Sequence, residues 1–74
     1  MFTLRDLCEQ VDIQGNIRLS SWTNNDEEET DIVELRGVDY LNPVNAALHI
    51  DRELRYMFTA SDGYLHIETW EGKA

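Results

Sequence analysis

Seventy-four residues with a formal net charge of −9, fifteen acidic against six basic side chains, and 42% hydrophobic composition describe one small domain, residues 1–74, that buries about 60% of its unfolded surface and has no material to spare for a deep substrate cavity. The charge repels nucleic acid and anionic membranes and attracts basic partners. The single cysteine, Cys8, excludes an intrachain disulfide or thiolate metal cluster, and no run approaches the roughly 18 apolar residues of a membrane span, so a cytoplasmic protein is expected.

Residues 3–11 carry a helix start signal. Thr3 and Asp6 have the spacing of a capping box, and Leu4, Leu7, Cys8 and Val11 recur at helical spacing as an apolar stripe. Residues 16–23 alternate as a first strand, with Ile17 and Leu19 facing one way and Arg18 and Trp22 the other. A charged connection, residues 24–29, leads to a second strand over 31–40. There Val33 and Leu35 are expected inward and Ile32, Glu34 and Arg36 outward, because the opposite phase buries two charges. Residues 41–50 read as a short second helix: Asn42 is a good cap, Pro43 suits the first helical position, and Val44, Ala47 and Leu48 face the core.

Residues 53–70 are the clearest element, a β-hairpin around Asp62-Gly63. That dipeptide favours a two-residue type I′ turn, which pairs Phe58 with Ile67 and Tyr56 with Thr69. Leu54, Tyr56, Phe58, Leu65 and Ile67 then share the core face, while Arg55, Met57, His66, Glu68 and Trp70 share the other. The expected fold is α+β: a four-stranded antiparallel sheet with an N-terminal helix and a short second helix packed on one face.

No catalytic, metal or phosphate-binding motif is present, so neither an enzyme nor a cofactor is expected. Calcium is disfavoured because the acidic run lacks the glycine of a calcium loop. Adjacent exposed carboxylates also lack the distinct environments that acid–base catalysis requires. His49 and His66 are isolated, and Ser20 and Ser21 lie in no nucleophile motif.

Two groups of residues are candidates for partner binding. Asp26, Glu27, Glu28, Glu29, Asp31 and Glu34 follow one another with no basic residue between them. Strand residues two apart are about 6.6–6.8 Å apart on one face. Glu29 with Asp31, or Glu34 with Glu68 or Asp39, are therefore expected to present a row of charges to a protein that grips phosphates. The second group is the outward sheet face with Trp22, Met57 and Trp70, residue types enriched in interfaces. Ordinary cross-strand pairing, with Arg55 against Trp70, is the alternative use of that face.

The segments TLRDLCEQVDIQGNIRLS and ELRYMFTASDGYLHIE resemble short acidic uncharacterised proteins of Firmicutes phages and mobile elements. The resemblance implies a setting in which small acidic proteins inhibit host defence, including anti-CRISPR proteins that obstruct the nucleic-acid channel of a Cas nuclease. The expectation is a non-enzymatic inhibitor that mimics nucleic acid and binds a basic nucleic-acid-binding protein. The alternative is a self-associating accessory or structural protein, a homodimer joined through the sheet face.

Overall fold

The computed structural model describes residues 1–23 and 28–71. Helix α1, Leu4–Gln10, precedes four strands: β1, Gly15–Trp22; β2, Glu29–Val38; β3, Leu54–Thr59; and β4, Leu65–Trp70. The capping box forms as expected. The Thr3 hydroxyl accepts from the Asp6 amide at 3.2 Å, and the Asp6 carboxylate accepts from the Thr3 amide at 2.9 Å.

The sheet order is β2-β1-β4-β3. β1 pairs with β2, and β3 with β4, in antiparallel fashion, but β1 and β4 run parallel. The sheet is therefore mixed rather than wholly antiparallel. The reason lies in residues 39–53, which carry the chain from one edge of the sheet to the other. Once two hairpins are joined that way, β1 and β4, the most buried strands, meet in the centre side by side and in the same direction.

The crossover and α1 cover a single sheet face. Between them and the sheet lies a core of Leu4, Ile13, Ile17, Leu19, Leu41, Ala46, Ile50 and Ile67, with Leu7, Cys8, Val33, Leu35, Leu54 and Leu65 packed against it. Crossover carbonyls also satisfy amides of the first helical turn: Leu4 donates to Arg52 at 3.2 Å and Arg5 to Ile50 at 2.7 Å. Such amides have no partner within the helix itself.

The expected second helix does not form. Asn42 caps a single turn, its side-chain oxygen accepting from Val44 and Asn45 and its carbonyl from Ala46. The next bonds, His49 to Ala46 and Arg52 to His49, close tighter three-residue turns, which eclipse side chains and do not extend far. The phase is also different from that expected. Val44 and Leu48 are 87% and 58% exposed, while Ala46, His49 and Ile50 point inward. The cause is polar: His49 is drawn into a hydrogen-bond network beneath the sheet, and its neighbours follow.

The β3–β4 register is shifted by one from the expected pairing, with Phe58 opposite His66 and Met57 opposite Ile67. The connection is five residues, 60–64, rather than two. Its carboxylate explains why: Asp62 accepts from the Tyr64 amide at 3.0 Å and from the His66 ring at 2.8 Å, while Gly63 adopts φ +84°. Aspartate bonding its own backbone two residues on is a turn in its own right. One residue of slip reverses the faces. Tyr56 and Phe58 thus lie on the outer face and Met57 on the core side, until an irregularity between Leu54 and Tyr56 returns Leu54 to the core.

This phase for the crossover predicts that Ile50→Ala costs about 2–5 kcal/mol while Leu48→Ala stays within about 0.5 kcal/mol. Urea denaturation of the two variants measures it, and equal losses would restore the helical phase.

Candidate functional site

On the outer face the parallel pairing sets Trp22 directly beside Trp70. The guanidinium of Arg55 enters between them, 5.0 Å from the Trp22 ring, 5.1 Å from the Trp70 ring and 4.3 Å from the Tyr56 ring. Its charge is met by Glu68 at 2.5 Å, the two side chains being only 10% and 7% exposed. The contact expected between Arg55 and Trp70 is present, although the register differs from the one that suggested it. Phe58 stacks on His66 beside this cluster, with ring centroids 4.7 Å apart. Trp22 and Trp70 are half-buried around an internal cation, and Met57 lies on the opposite face. The three residues expected to share a partner-binding face are therefore not together.

The acidic row is also divided. Asp26 and Glu27 lie outside the described residues. Glu28 is exposed, and its carbonyl accepts from Thr23. Glu29 faces Arg18 at 2.7 Å, and Glu34 lies 3.9 Å from the same guanidinium. Glu68 is consumed by Arg55 and adds nothing to an exposed row. Asp31 leaves the row altogether. It sits at φ +52° in a bulge opposite Ser20, a conformation that aspartate tolerates better than most residues. Bulges re-aim side chains, and this one sends the Asp31 carboxylate to Arg52 at 2.8 Å and its carbonyl to His49.

That carbonyl is the outer end of a buried network. His49 Nε2 lies 2.8 Å from the Asp31 carbonyl. A carbonyl only accepts, so Nε2 carries the proton and Nδ1 is the acceptor. Nδ1 is 2.9 Å from Ser21 Oγ and 3.2 Å from Thr69 Oγ1, and the two hydroxyls are 2.7 Å apart. Arg52 donates to Ser21 Oγ at 2.7 Å. Burial holds the His49 ring below its ordinary pKa, reinforced by the charge of Arg52 and opposed by Asp31.

A hydroxyl on an imidazole oriented by a third group has the connectivity of an activated nucleophile. Ser21, His49 and Thr69 are, however, completely shielded from solvent, and the arrangement joins β1, β2, β4 and the crossover as a latch. Sequence reasoning missed it because Ser21, Thr69 and the pair His49 and Arg52 are distant from one another along the chain. The one available signal was His49 itself, a polar residue inside the apolar stretch AALHI.

A groove of about 140 Å³ between α1 and the start of the crossover is lined by Cys8, Glu9, Asp12 and Tyr40 among others. Burial pushes the Cys8 thiol up, which keeps it protonated and poorly nucleophilic. Among the described residues no group of three or more His, Cys, Asp or Glu side chains is placed to hold a metal ion. No helix among them is long and apolar enough to cross a membrane. Compared with family models, curated proteins and solved structures, the chain matches none.

Two predictions follow from these clusters. Removing one partner of the buried pair, as in Glu68→Ala, costs about 3–5 kcal/mol, whereas replacing both, as in Arg55→Met with Glu68→Leu, recovers most of that loss; denaturation midpoints of the single and double variants decide it. For His49, the unfolded ring titrates near 6.5 and the folded ring lower. The unfolded chain therefore binds the extra proton first, and stability falls as pH drops below about 6.5 toward the folded value. In a His66→Gln background, where His49 is the remaining histidine, the urea midpoint at pH 5.5 lies below that at pH 7.5. A flat profile contradicts the latch.

Proposed function

We propose that the chain is a non-enzymatic acidic inhibitor that occupies the basic, nucleic-acid-binding surface of a larger protein, its carboxylates taking the place of phosphates. The supporting observation is the disposal of positive charge. Arg5 pairs with Asp51, Arg18 with Glu29 and Glu34, Arg52 with Asp31, and Arg55 with Glu68, while Arg36 lies over the Tyr64 ring. Each described arginine is thus engaged within the molecule. Glu9, Asp12, Glu28 and Asp39 are exposed carboxylates with no ion-pair partner among the described residues. The field presented to another protein is therefore negative, and a surface built from lysine and arginine is its natural complement.

Within this reading the contact centres on Asp26, Glu27 and Glu28, with Glu29, Asp31 and Glu34 muted by their internal partners. The nucleic-acid channel of a Cas nuclease is the instance suggested by the resemblance to mobile-element proteins. Self-association through the outer sheet face has less support, because Trp22 and Trp70 are turned toward Arg55.

A competition assay tests the proposal, using a nucleic-acid-binding protein captured from the host and a fluorescent duplex that it binds. Saturating amounts of the chain release the duplex, and affinity for the chain drops steeply between roughly 50 and 200 mM salt. Replacing Asp26, Glu27 and Glu28 with their amides weakens the competition several-fold, whereas Glu34→Gln changes it little. A partner that binds duplex unchanged while fully occupied by the chain refutes the proposal.

A further inference from the structure

The two edges of the sheet are built differently. The β2 edge carries Glu29, Glu34 and Arg36 and is interrupted by the Asp31 bulge, devices that discourage pairing with another strand. The β3 edge has neither device over its second half. From Tyr56 to Ser61 the chain has no charged side chain, and Tyr56, Met57 and Phe58 are 51%, 45% and 39% exposed. At its start this edge already accepts an antiparallel neighbour. Thr3 bridges to Glu53, and the Leu54 amide donates outward to the Phe2 carbonyl at 2.9 Å. Beyond that point no strand of the described residues lies outside β3, so alternate backbone groups of Tyr56–Thr59 face an open edge.

We propose that this edge pairs with the same edge of a second copy, giving a two-fold antiparallel dimer with a continuous eight-stranded sheet. The absence of charge along this edge selects the occupant. A basic strand finds no carboxylate between Tyr56 and Ser61, whereas β3 is complementary to itself. Pairing centred on Met57 sets Tyr56 of each copy against Phe58 of the other, an aromatic cross-strand pair, with the two Met57 side chains meeting on the axis. Because the β2 edge is blocked by charge and bulge, the contact closes at two copies and does not propagate. The interface is smaller than the about 800 Å² per partner of a standard one, so the dimer is weak and concentration-dependent.

Salt separates this contact from binding to a basic protein. Each copy carries −9, so screening reduces repulsion between copies and strengthens the dimer, the reverse of the dependence for a basic partner. Sedimentation equilibrium over a roughly hundredfold concentration range, at low and high salt, is the experiment. The wild type is expected to shift from monomer to dimer, more readily at high salt. Met57→Lys, which lowers the net negative charge and alters an exposed position, weakens the dimer about fivefold or more by placing like charges opposite each other. Ile32→Lys on β2 leaves it unchanged, and circular dichroism verifies that both variants fold. A wild type that stays monomeric throughout, a dimer that Met57→Lys does not weaken, or a dimer that dissociates with added salt overturns the proposal.

Discussion

The fold depends on one hydrogen bond with its supporting network: His49 Nε2–H to the carbonyl of Asp31. The crossover must pass under the sheet from β2 to β3, and nothing in its apolar content alone fixes its height or phase. His49 supplies that constraint. Its ring reaches β2 through Asp31 and β1 and β4 through Ser21 and Thr69. Arg52 adds a second tie from the crossover to the same bulge, and the crossover carbonyls in turn seat the first turn of α1. Burying these polar groups is costly unless each is paired. The network therefore favours one arrangement sharply over its neighbours, in which a donor or acceptor is left unmatched. The left-handed backbone of Asp31, at φ +52°, is held by the two bonds it makes possible.

Charge is organised by the same economy. Cations are drawn inward or along the sheet: Arg52 beneath it, Arg55 between aromatic rings above it, and Arg18 across the first hairpin. Arg18 and Arg52 neutralise carboxylates that the linear sequence presents as an unbroken acidic run, and Arg55 neutralises Glu68. Among the described residues, the exposed carboxylates without an ion pair are Glu9, Asp12, Glu28 and Asp39, all outside the strands. The exposed carboxylates and the uncharged half of β3 thus occupy different parts of the molecule.

Much of the architecture was legible from local pattern. The capping box at Thr3 and Asp6, the inward Ile17 and Leu19, and the inward Val33 and Leu35 follow from periodicity and burial cost, which act over a few residues. The failures share one cause, a side chain bonding to something remote or to its own backbone. Asp62 made a longer turn than Asp-Gly suggests and slipped the hairpin by one residue, moving Tyr56, Met57 and Phe58 to the faces opposite those expected. His49 overrode the helical phase of residues 41–50. Asp31, read as one carboxylate in a row, became the hinge of a bulge. The parallel β1–β4 pairing was hidden for a related reason: short links argue for antiparallel neighbours only where links are short, and residues 39–53 are long enough to cross.

The state of the His49 ring tests this account most directly. Nitrogen-15 and proton NMR of the imidazole at neutral pH should show a neutral ring protonated at Nε2, with a slowly exchanging proton and a scalar coupling across the hydrogen bond to the Asp31 carbonyl. A ring protonated at Nδ1, or one whose Nε2 proton exchanges at the rate of an exposed histidine, would contradict the central role assigned to the latch.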